Sequence, residues 1–417
     1  MLISSFYKLY LDNSRRKGGN EMKKILFVLD ALHSGGAEKS LSSLLSLFDY
    51  DKYHVDMLIF KPGGLYSPLI PKEVNRLESP QVFIDMRTSL KDLAKQGKFL
   101  ALIWRIKSSI KLRYNMKFTN INHGAQALWP SLDSKLEKLE KEYDVAIAYS
   151  QGTPTYYVAD KVKAKKKLAW VNIDYKIAGY NKEFDINYYK KFDKIINVSE
   201  ACTKVFNEVY PEFEYKVKTI YDIISENLIN NMSVAEKGFT DNFDGVRILT
   251  IGRLAYQKGY DMAIEAAKIL KDKNIKFKWY VIGEGSLKDE LRELVKNNGL
   301  EKEFIFMGTF VNPYPFIKQC DIYCQPSRFE GFGLAIAEAR LLNKPVVATN
   351  FEIVHDQITN NVNGLISDMN SESIAKSLME LINDKDLSYR IIEKLKDEKV
   401  GTEEEINKIY ELIEGRE

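Results

Sequence analysis

Two cations in the second half of the chain have a spacing suited to binding a diphosphate. Arg253 and Lys258 lie in the segment Gly252–Asp261, GRLAYQKGYD, between the apolar run RILTI and the helical pattern YDMAIEAAKIL. A planar guanidinium and an ammonium on one short loop can clamp a diphosphate. Asp261 is the predicted N-cap of the following helix, whose free N–H groups form a further anion site. The alternative interpretation is a solvated loop with two ordinary cations.

A second segment, Ser327–Ala339 (SRFEGFGLAIAEA), places two carboxylates beside a glycine-rich helix start. Glu330 precedes Gly331 and Gly333, whose backbone N–H groups can meet a phosphate at the helix N-terminus. Glu338 interrupts an apolar helix face, where a lone carboxylate is costly unless it has a partner. The two carboxylates are therefore candidate acceptors for hydroxyls of a sugar and of a ribose. The alternative is a loop charge and a surface helix residue.

Both segments follow short apolar runs that predict strands alternating with helices along the chain. The predicted strands are Lys24–Asp30, His54–Phe60, Gln81–Asp85, Asp144–Ser150, Leu168–Ile173, Lys194–Ser199, Arg247–Ile251, Lys276–Ile282, Phe304–Met307, Asp321–Gln325, Val346–Thr349 and Gly364–Ser367. Continuously apolar strands alternating with helices indicate parallel sheets covered on both faces. The predicted fold class is α/β, with two Rossmann-like domains facing each other across a cleft that holds the site.

The predicted domain limits follow from changes in composition along the chain. The divisions are a non-native or disordered extension at 1–21 with translation beginning at Met22, a first domain at 22–222, a polar linker at 223–245, a second domain at 246–400, and a C-terminal helix at 401–417 that packs on the first domain. A chain of 417 residues exceeds the size at which single cores stop growing, about 250–300 residues, which supports two domains.

Composition excludes several classes of function. A formal net charge of +3 gives no support to a nucleic-acid partner, and none is predicted. The three cysteines form no C-x-x-C pair, which favours a reducing cytoplasm over a disulfide framework. The four histidines are scattered, so no protein-held metal site is predicted. No uncharged apolar stretch reaches the roughly 18 residues of a membrane-spanning helix.

Residues 87–117 form a basic segment, with nine Lys or Arg against the single acidic Asp92. Apolar side chains fall on one helical stripe, with Trp104 at its edge: Phe99, Ile103, Ile106 and Ile110. A basic amphipathic helix suits an anionic membrane surface, which would place the protein on the inner face of the plasma membrane. The stripe equally suits packing against the sheet with a solvated basic face.

Together, the motifs G-R-L-x-x-Q-K-G-x-D and E-x7-E resemble the retaining glycosyltransferases of family 4, which have the GT-B fold. The resemblance extends from Met22 onward. It implies that the first domain faces the acceptor and the second holds a nucleotide-sugar, most commonly a UDP-sugar. It further implies retention at the anomeric carbon, no required metal or other cofactor, and a glycan or lipid-linked acceptor in surface polysaccharide synthesis.

The resemblance also assigns roles to individual residues. It implies that Arg253 and Lys258 grip the donor diphosphate, that Glu330 contacts the transferred sugar, and that Glu338 binds the ribose. His33–Lys39 resembles the glycine loop of the first domain, whose backbone reaches the donor phosphate when the cleft closes. The remaining implied donor contacts are Gly35, Gly36, Gly252, Gly283, Phe310, Val311, Tyr314, Gly331, Phe332, Gly333 and Leu334.

The first domain departs from the family where a histidine often lies near the reacting carbon. Asn172 occupies that place here, in LAWVNID. Asparagine can bond a sugar hydroxyl but cannot titrate, so the catalytic role of Asn172 stays open. Asp174 or the segment Ser150–Gly152 are alternatives for completing the acceptor side. The substitution also leaves open a catalytically silent partner that binds nucleotide-sugar or glycan.

Two alternative functions have less support from the sequence motifs. A nicotinamide oxidoreductase would need a G-x-G-x-x-G fingerprint, which the glycine loop lacks. A metal-dependent transferase would carry a D-x-D after a strand. Asp49–Asp51 has that spelling but lies between a predicted helix and a predicted strand, which favours a solvated turn.

Overall fold

The computed structural model describes residues 22–33, 35–119 and 121–416, and these fold around two parallel β-sheets. The extension proposed at 1–21 lies outside the described residues. Every strand pair in both sheets is parallel. The predicted α/β class with two Rossmann-like domains is confirmed.

The first sheet has seven strands in the order β3-β2-β1-β4-β5-β6-β7. Their bounds are β1 Lys23–Ala31, β2 Tyr53–Lys61, β3 Asn75–Leu77, β4 Glu142–Ala148, β5 Lys163–Val171, β6 Lys194–Asn197 and β7 Val217–Thr219. The helices of this part are α1 Gly36–Ser46, α2 Gln81–Arg87, α3 Leu90–Lys95, α4 Phe99–Phe118, α5 Gly124–Asp133, α6 Thr153–Lys161, α7 Lys182–Tyr189 and α8 Glu200–Val209. The first turns after β1, β4 and β5 lie at one sheet edge, where ligands of such sheets bind.

The second sheet has six strands in the order β10-β9-β8-β11-β12-β13. Their bounds are β8 Val246–Ile251, β9 Phe277–Ile282, β10 Phe304–Gly308, β11 Ile322–Gln325, β12 Val346–Thr349 and β13 Leu365–Ser367. The accompanying helices are α9 Glu226–Ala235, α10 Tyr260–Asp272, α11 Lys288–Asn297, α12 Tyr314–Gln319, α13 Leu334–Leu341, α14 Ser371–Asn383, α15 Lys385–Lys396 and α16 Glu405–Glu414. In each sheet the strand order reverses direction between two neighbouring strands. These are β1 and β4 in the first sheet and β8 and β11 in the second.

The cores form because the central strands are apolar on both faces. The segment Ile25–Leu29 of β1 is buried throughout, and helices cover it from both sides. Trp170 in β5 and Trp279 in β9 fill the layers between sheet and helices. The cores fix the strand ends, and hence the loops that carry the polar motifs.

The end of the chain returns to the first sheet through α16. Tyr410 of this helix stacks on Tyr53 of β2, with ring centroids 5.4 Å apart. Lys23 Nζ also lies 2.9 Å from Glu414 Oε2. The segment 223–245, expected as a linker, contains helix α9, whose N-cap Ser225 accepts a hydrogen bond from Leu228 N.

One predicted strand is wrong. Gln81–Asp85 lies in helix α2, where the Gln81 amide donates to Asp85 Oδ1 one turn later at 2.8 Å. The run QVFID is too short for its periodicity to separate a strand from a helix. Phe83 is buried while Ile84 is exposed, a distribution that both structures allow. The edge strands β3 and β7, three residues each, were not predicted from the sequence.

Candidate active site

The first motif forms a compact loop between β8 and α10. Gly259, with φ of 63°, is the N-cap of α10, so the N-cap prediction for Asp261 is wrong. A Cβ at Gly259 would clash with the carbonyl oxygen of Pro326, so glycine brings the two motif loops together. Arg253 is exposed, and among the described residues its guanidinium has no hydrogen bond or ion pair.

The second motif buries Glu330 and fixes one of its oxygens. Oε1 accepts from Lys258 Nζ at 2.6 Å, from Ser327 Oγ at 2.6 Å and from Gln325 Nε2 at 3.0 Å. Within the described part of the chain, none of the hydrogen bonds involves Oε2. Three donors on one oxygen offset the cost of burying the carboxylate and set its direction. The other oxygen is left for a ligand hydroxyl.

Two residues to which the sequence analysis assigned no role join the two motifs. Arg328 binds Asp261 with both terminal nitrogens, at 2.8 and 2.6 Å, and its guanidinium lies 4.0 Å from the ring centroid of Tyr256. This contact holds the pKa of Asp261 below its usual range. Gln257 Nε2 donates to the carbonyl oxygen of Phe329 at 2.9 Å. The cations of the first motif and the carboxylate of the second therefore keep a fixed relative position.

The two domains meet at Gly331 and Asn172. A Cβ at Gly331 would clash with the carbonyl oxygen of Asn172. On its other side, the carbonyl oxygen of Gly331 accepts from Ser199 Oγ at 3.0 Å and from Cys202 Sγ at 3.2 Å. The residue next to Glu330 is thus in direct contact with the first domain.

Of the two polar side-chain atoms of Asn172, one makes a hydrogen bond and the other makes none among the described residues. Its Nδ2 donates to the carbonyl oxygen of Tyr149 at 2.8 Å, and its backbone N donates to Gln151 Oε1 at 3.1 Å. Its Oδ1 is buried and has no hydrogen bond among the residues the structure describes. Asp174, an alternative for the acceptor side, instead accepts from the backbone of Lys176 at 3.0 Å and so stabilises the turn after β5.

The glycine loop faces the second domain. Gly35 is the N-cap of α1, and a Cβ on Gly36 would lie 3.6 Å from Cδ1 of Leu334 at the start of α13. The Glu38 carboxylate folds back against Gly35; burial raises its pKa, and the nearby charge of Arg253 lowers it. The loop and Arg253 therefore lie on facing sides of the cleft.

Only some of the residues expected at the nucleoside contact one another in the structure. Glu338 Oε1 accepts from Tyr314 Oη at 3.1 Å. Phe310 packs on Phe316, with centroids 4.6 Å apart, whereas Val311 is exposed on the same segment. Three further implied contacts lie around them: Gly283 N bonds Gly308 O at 2.7 Å, Phe332 packs beside Tyr221, and Gly333 is the N-cap of α13. Gly252 packs against the Lys258 side chain.

One acidic group at the site escaped the sequence analysis. Asp30 is the penultimate residue of β1, at the edge where the cleft lies, and it is half-buried. Its pKa is raised to about 6, mainly by burial; the charge of Lys61 opposes this rise and that of Glu38 adds to it. The only signal in the sequence was its place at the end of an apolar strand.

The described residues contain neither a cluster of metal ligands nor a helix able to span a membrane. No group of three or more His, Cys, Asp or Glu within residues 22–33, 35–119 and 121–416 is arranged to hold a metal ion. Asp49–Asp51 lies in the turn before β2, where Lys52 pairs with Asp49 at 2.7 Å. In the same part of the chain, no helix has the length and apolarity needed to cross a bilayer.

Comparison with known proteins gives matches that differ in extent. Residues 239–398 match the family model described as glycosyl transferases group 1. The chain is 25% identical to a Campylobacter jejuni N-acetylgalactosamine-N,N'-diacetylbacillosaminyl-diphospho-undecaprenol 4-alpha-N-acetylgalactosaminyltransferase over 331 residues, 79% of this chain and 81% of that protein. It is 30% identical to the Staphylococcus aureus poly(ribitol-phosphate) alpha-N-acetylglucosaminyltransferase over 170 residues, 39% of this chain and 34% of that one. The regions matched in two Methanocaldococcus jannaschii relatives span 51% and 48% of those proteins, about half of their length.

Among solved structures, the chain is similar to Anabaena HepE in complex with UDP and glucose. The TM-score is 0.67 at 18% identity, and the match covers 94% of this chain and 100% of that one. At this identity the likeness establishes the fold. The protein therefore has the GT-B fold, and its second domain carries the region that matches glycosyl transferases group 1.

Proposed function

We propose that the protein is a glycosyltransferase that moves a sugar from a nucleotide-sugar to a glycan or lipid-linked acceptor, with retention at the anomeric carbon. The observation that carries the proposal is the set of hydrogen bonds that holds the buried Glu330 carboxylate. Lys258, Gln325 and Ser327 hold its Oε1, which leaves Oε2 for a hydroxyl of the transferred sugar. The match to glycosyl transferases group 1 covers this segment.

The donor diphosphate fits between the cations and the helix N-termini. Arg253 has an unpaired guanidinium within the described chain, and Lys258 lies beside Glu330. The N-terminus of α13 adds backbone N–H groups from the Gly331–Leu334 segment. Bound UDP in the HepE structure, together with the family resemblance, supports a uridine nucleotide as the donor.

The proposed reaction needs no enzyme nucleophile, and its proton transfer takes place between the two substrates. The bond between the anomeric carbon and the diphosphate oxygen breaks, and its electron pair stays on the leaving diphosphate. Arg253 and Lys258 neutralise the charge that develops there. The acceptor oxygen bonds the carbon on the same face, and its proton passes to a leaving phosphate oxygen. Asn172 Oδ1, which lacks a partner, accepts a hydrogen bond from a substrate hydroxyl.

A role in surface polysaccharide synthesis is supported by the relatives. The Campylobacter protein's name gives a diphospho-undecaprenol substrate, and the Staphylococcus protein's name gives poly(ribitol-phosphate). Both acceptors carry phosphate, and the first is attached to a lipid. A lipid-linked acceptor would require the protein to work at a membrane surface.

Helix α4 supplies a surface for such attachment. Its stripe of large apolar residues points away from the first sheet, with Phe99 61%, Ile103 50% and Ile110 62% exposed, while Trp104 packs inward. Ser108 is the one buried residue of this 20-residue helix. The alternative in which the stripe packs on the sheet is therefore wrong.

Cations flank the outward stripe of α4. Lys107, Lys111, Arg113 and Lys117 are all exposed. Each such residue near an anionic surface contributes about 1 kcal/mol to binding, and the apolar side chains can enter the headgroup region. We infer that α4 attaches the protein peripherally to the anionic inner face of the plasma membrane, and that the protein is otherwise cytoplasmic.

Vesicle pelleting tests the attachment. Vesicles of phosphatidylglycerol and phosphatidylcholine should sediment the wild-type protein, and Lys107→Glu/Lys111→Glu should abolish this. Lys394→Glu/Lys396→Glu on α15, which changes two exposed lysines of the second domain, is the matched control. Binding that is unaffected by the α4 reversal contradicts the inference.

A donor panel tests the transferase proposal. The protein is incubated with UDP-, GDP- and dTDP-sugars, and slow donor hydrolysis and thermal shift are followed, with and without a chelator. Turnover of a bound nucleotide-sugar supports the proposal, and proton NMR of the first product gives its anomeric configuration. A nucleotide-sugar that binds without turnover supports the catalytically silent partner instead, and a shift with NAD(P) alone supports an oxidoreductase.

A further inference from the structure

An ion pair across the cleft joins the glycine loop to the expected ribose-binding residue. Lys39, in the first turn of α1, places its Nζ 2.5 Å from Oε1 of Glu338 on α13. The side chains are 14% and 3% exposed, so the pair is largely removed from water. A carboxylate this deeply buried needs a counter-charge to stay ionised. Glu338 receives its counter-charge from the other domain.

The two oxygens of Glu338 are not equivalent. Oε1 accepts a hydrogen bond from Tyr314 Oη at 3.1 Å, and the Lys39 ammonium forms its ion pair with the same oxygen. Lys39 Nζ also lies 4.5 Å from the centroid of the Tyr314 ring, which fixes the ammonium from a second side. Among the described residues, no hydrogen bond is made to Oε2 of Glu338. Glu330 is similar, since the hydrogen bonds from the protein reach only one of its two oxygens.

We propose that Lys39 is a positioning residue for the nucleoside of the donor, holding Glu338 so that its Oε2 accepts the ribose hydroxyls. This inference rests on the proposed function and assigns to the first domain a part in the nucleoside subsite of the second. Because the ion pair joins the two domains, ribose binding at Glu338 and the domain arrangement of this structure should favour each other.

The chemistry predicts a ligand-dependent effect. Without the ammonium, the buried Glu338 carboxylate would keep Tyr314 as its hydrogen-bond donor but lose its counter-charge, and it would turn toward water. This change weakens acceptance of the 2′- and 3′-hydroxyls and leaves the base and diphosphate contacts in place. Lys39→Met keeps nearly the length of the side chain, and it removes the charge and with it the ammonium contact with the Tyr314 ring.

Isothermal titration with two nucleotides separates this role from a structural one. The probe is whichever of UDP or GDP the wild-type protein binds more tightly, compared with its 2′,3′-dideoxy analogue. Lys39→Met should weaken the ribonucleotide about 10-fold, the effect of one charge-assisted hydrogen bond, and the dideoxy analogue less than 2-fold. Lys39→Arg should restore part of the difference. The control is Lys268→Met, which removes an exposed pair with Asp272 on α10.

The outcomes are distinct. Equal weakening of both nucleotides, or none, overturns the role of Lys39. If Lys39→Met does not fold, Tyr314→Phe removes the second donor to Oε1, keeps the ring, and should produce the same selective loss to a smaller degree. Failure of the wild-type protein to bind either ribonucleotide contradicts the proposed function itself, and this inference with it.

Discussion

Ser199 Oγ in the first domain donates a hydrogen bond of 3.0 Å to the carbonyl oxygen of Gly331 in the second. The opposite side of Gly331 faces the carbonyl oxygen of Asn172. Gly331 therefore lies between two elements of the first domain, directly beside Glu330. The distance between Glu330 and the first domain therefore depends on the absence of a side chain at this position.

Gly331→Ala should reduce transfer without unfolding the protein. Its Cβ would clash with the Asn172 carbonyl oxygen and keep the cleft from closing. Gly331 does not have a positive φ, so alanine adds no backbone strain of its own. A misplacement of about 1 Å can lower kcat about 100-fold. Steady-state kinetics measure the loss in kcat, and small-angle scattering measures cleft closure through the radius of gyration.

The control for this change is Gly124→Ala, at the start of α5. A Cβ there meets nothing within 4 Å, so activity and radius of gyration should equal those of the parent. A Gly331→Ala protein with parental kcat and an unchanged radius of gyration would show that the contact with Asn172 does not control closure.

Lys258→Ala should lower kcat about 100- to 1,000-fold, the usual effect of removing one donor from a site of developing negative charge. The ammonium lies 2.6 Å from Glu330 Oε1, so the variant also leaves that carboxylate with neutral donors alone. Adding Arg253→Ala should abolish measurable turnover. Lys268→Ala, in an exposed pair with Asp272, is the control for charge removal. A double variant as active as the parent would refute the assignment of both cations.

Much of the fold follows from sequence because buried parallel strands are continuously apolar. Central strands such as β1 and β8 and their following glycine loops were located to within a residue or two. The edge strand β3 was missed because its three residues, NRL, carry little apolar surface. Helix α2 was misassigned because a short apolar run fits either period.

The candidate site was predictable where a residue belongs to a motif, and not where it acts through contacts between distant segments. The neighbourhood of Lys258 and Glu330 depends on two loops that are 72 residues apart in the chain. Gln325 and Ser327, which fix Glu330, look in the sequence like ordinary polar residues at the end of a strand and just after it. The pairing of Lys39 with Glu338 needs the relative position of two domains, which local patterns do not encode.

Arg328→Lys should weaken the joint between the two motif loops. Lysine cannot reproduce the two bonds that the guanidinium makes to Asp261, at 2.8 and 2.6 Å. Asp261 is about half exposed, so screening limits the loss in the free energy of unfolding to about 1 kcal/mol. The pair lowers the pKa of Asp261, so its contribution is present above the unfolded pKa and is lost as pH falls through the folded value. Urea unfolding should therefore show a variant effect at pH 7 that shrinks near pH 3.

Asp222→Asn should stabilise the protein at alkaline pH. Asp222 lies between β7 and α9, where the chain passes from one domain to the other, and its Oδ1 accepts from Ser40 Oγ at 2.5 Å. Burial raises its pKa to about 7, and the Ser40 hydrogen bond lowers it only in part. Asparagine has nearly the shape of the protonated side chain and keeps an oxygen for Ser40.

The sign of the pH effect follows from proton binding by the two states. Between the unfolded pKa of about 3.9 and the folded value of about 7, the folded state holds the proton more tightly, so wild-type stability falls as pH rises across that window. Asparagine has no proton to lose and avoids this fall. Urea unfolding should show Asp222→Asn close to the parent near pH 4 and more stable at pH 8, by up to about 4 kcal/mol. Asp51→Asn, in an exposed turn, should match the parent at both values. If the free energy of unfolding of Asp222→Asn changed with pH as that of the parent does, Asp222 would be ionised in the folded protein throughout this range.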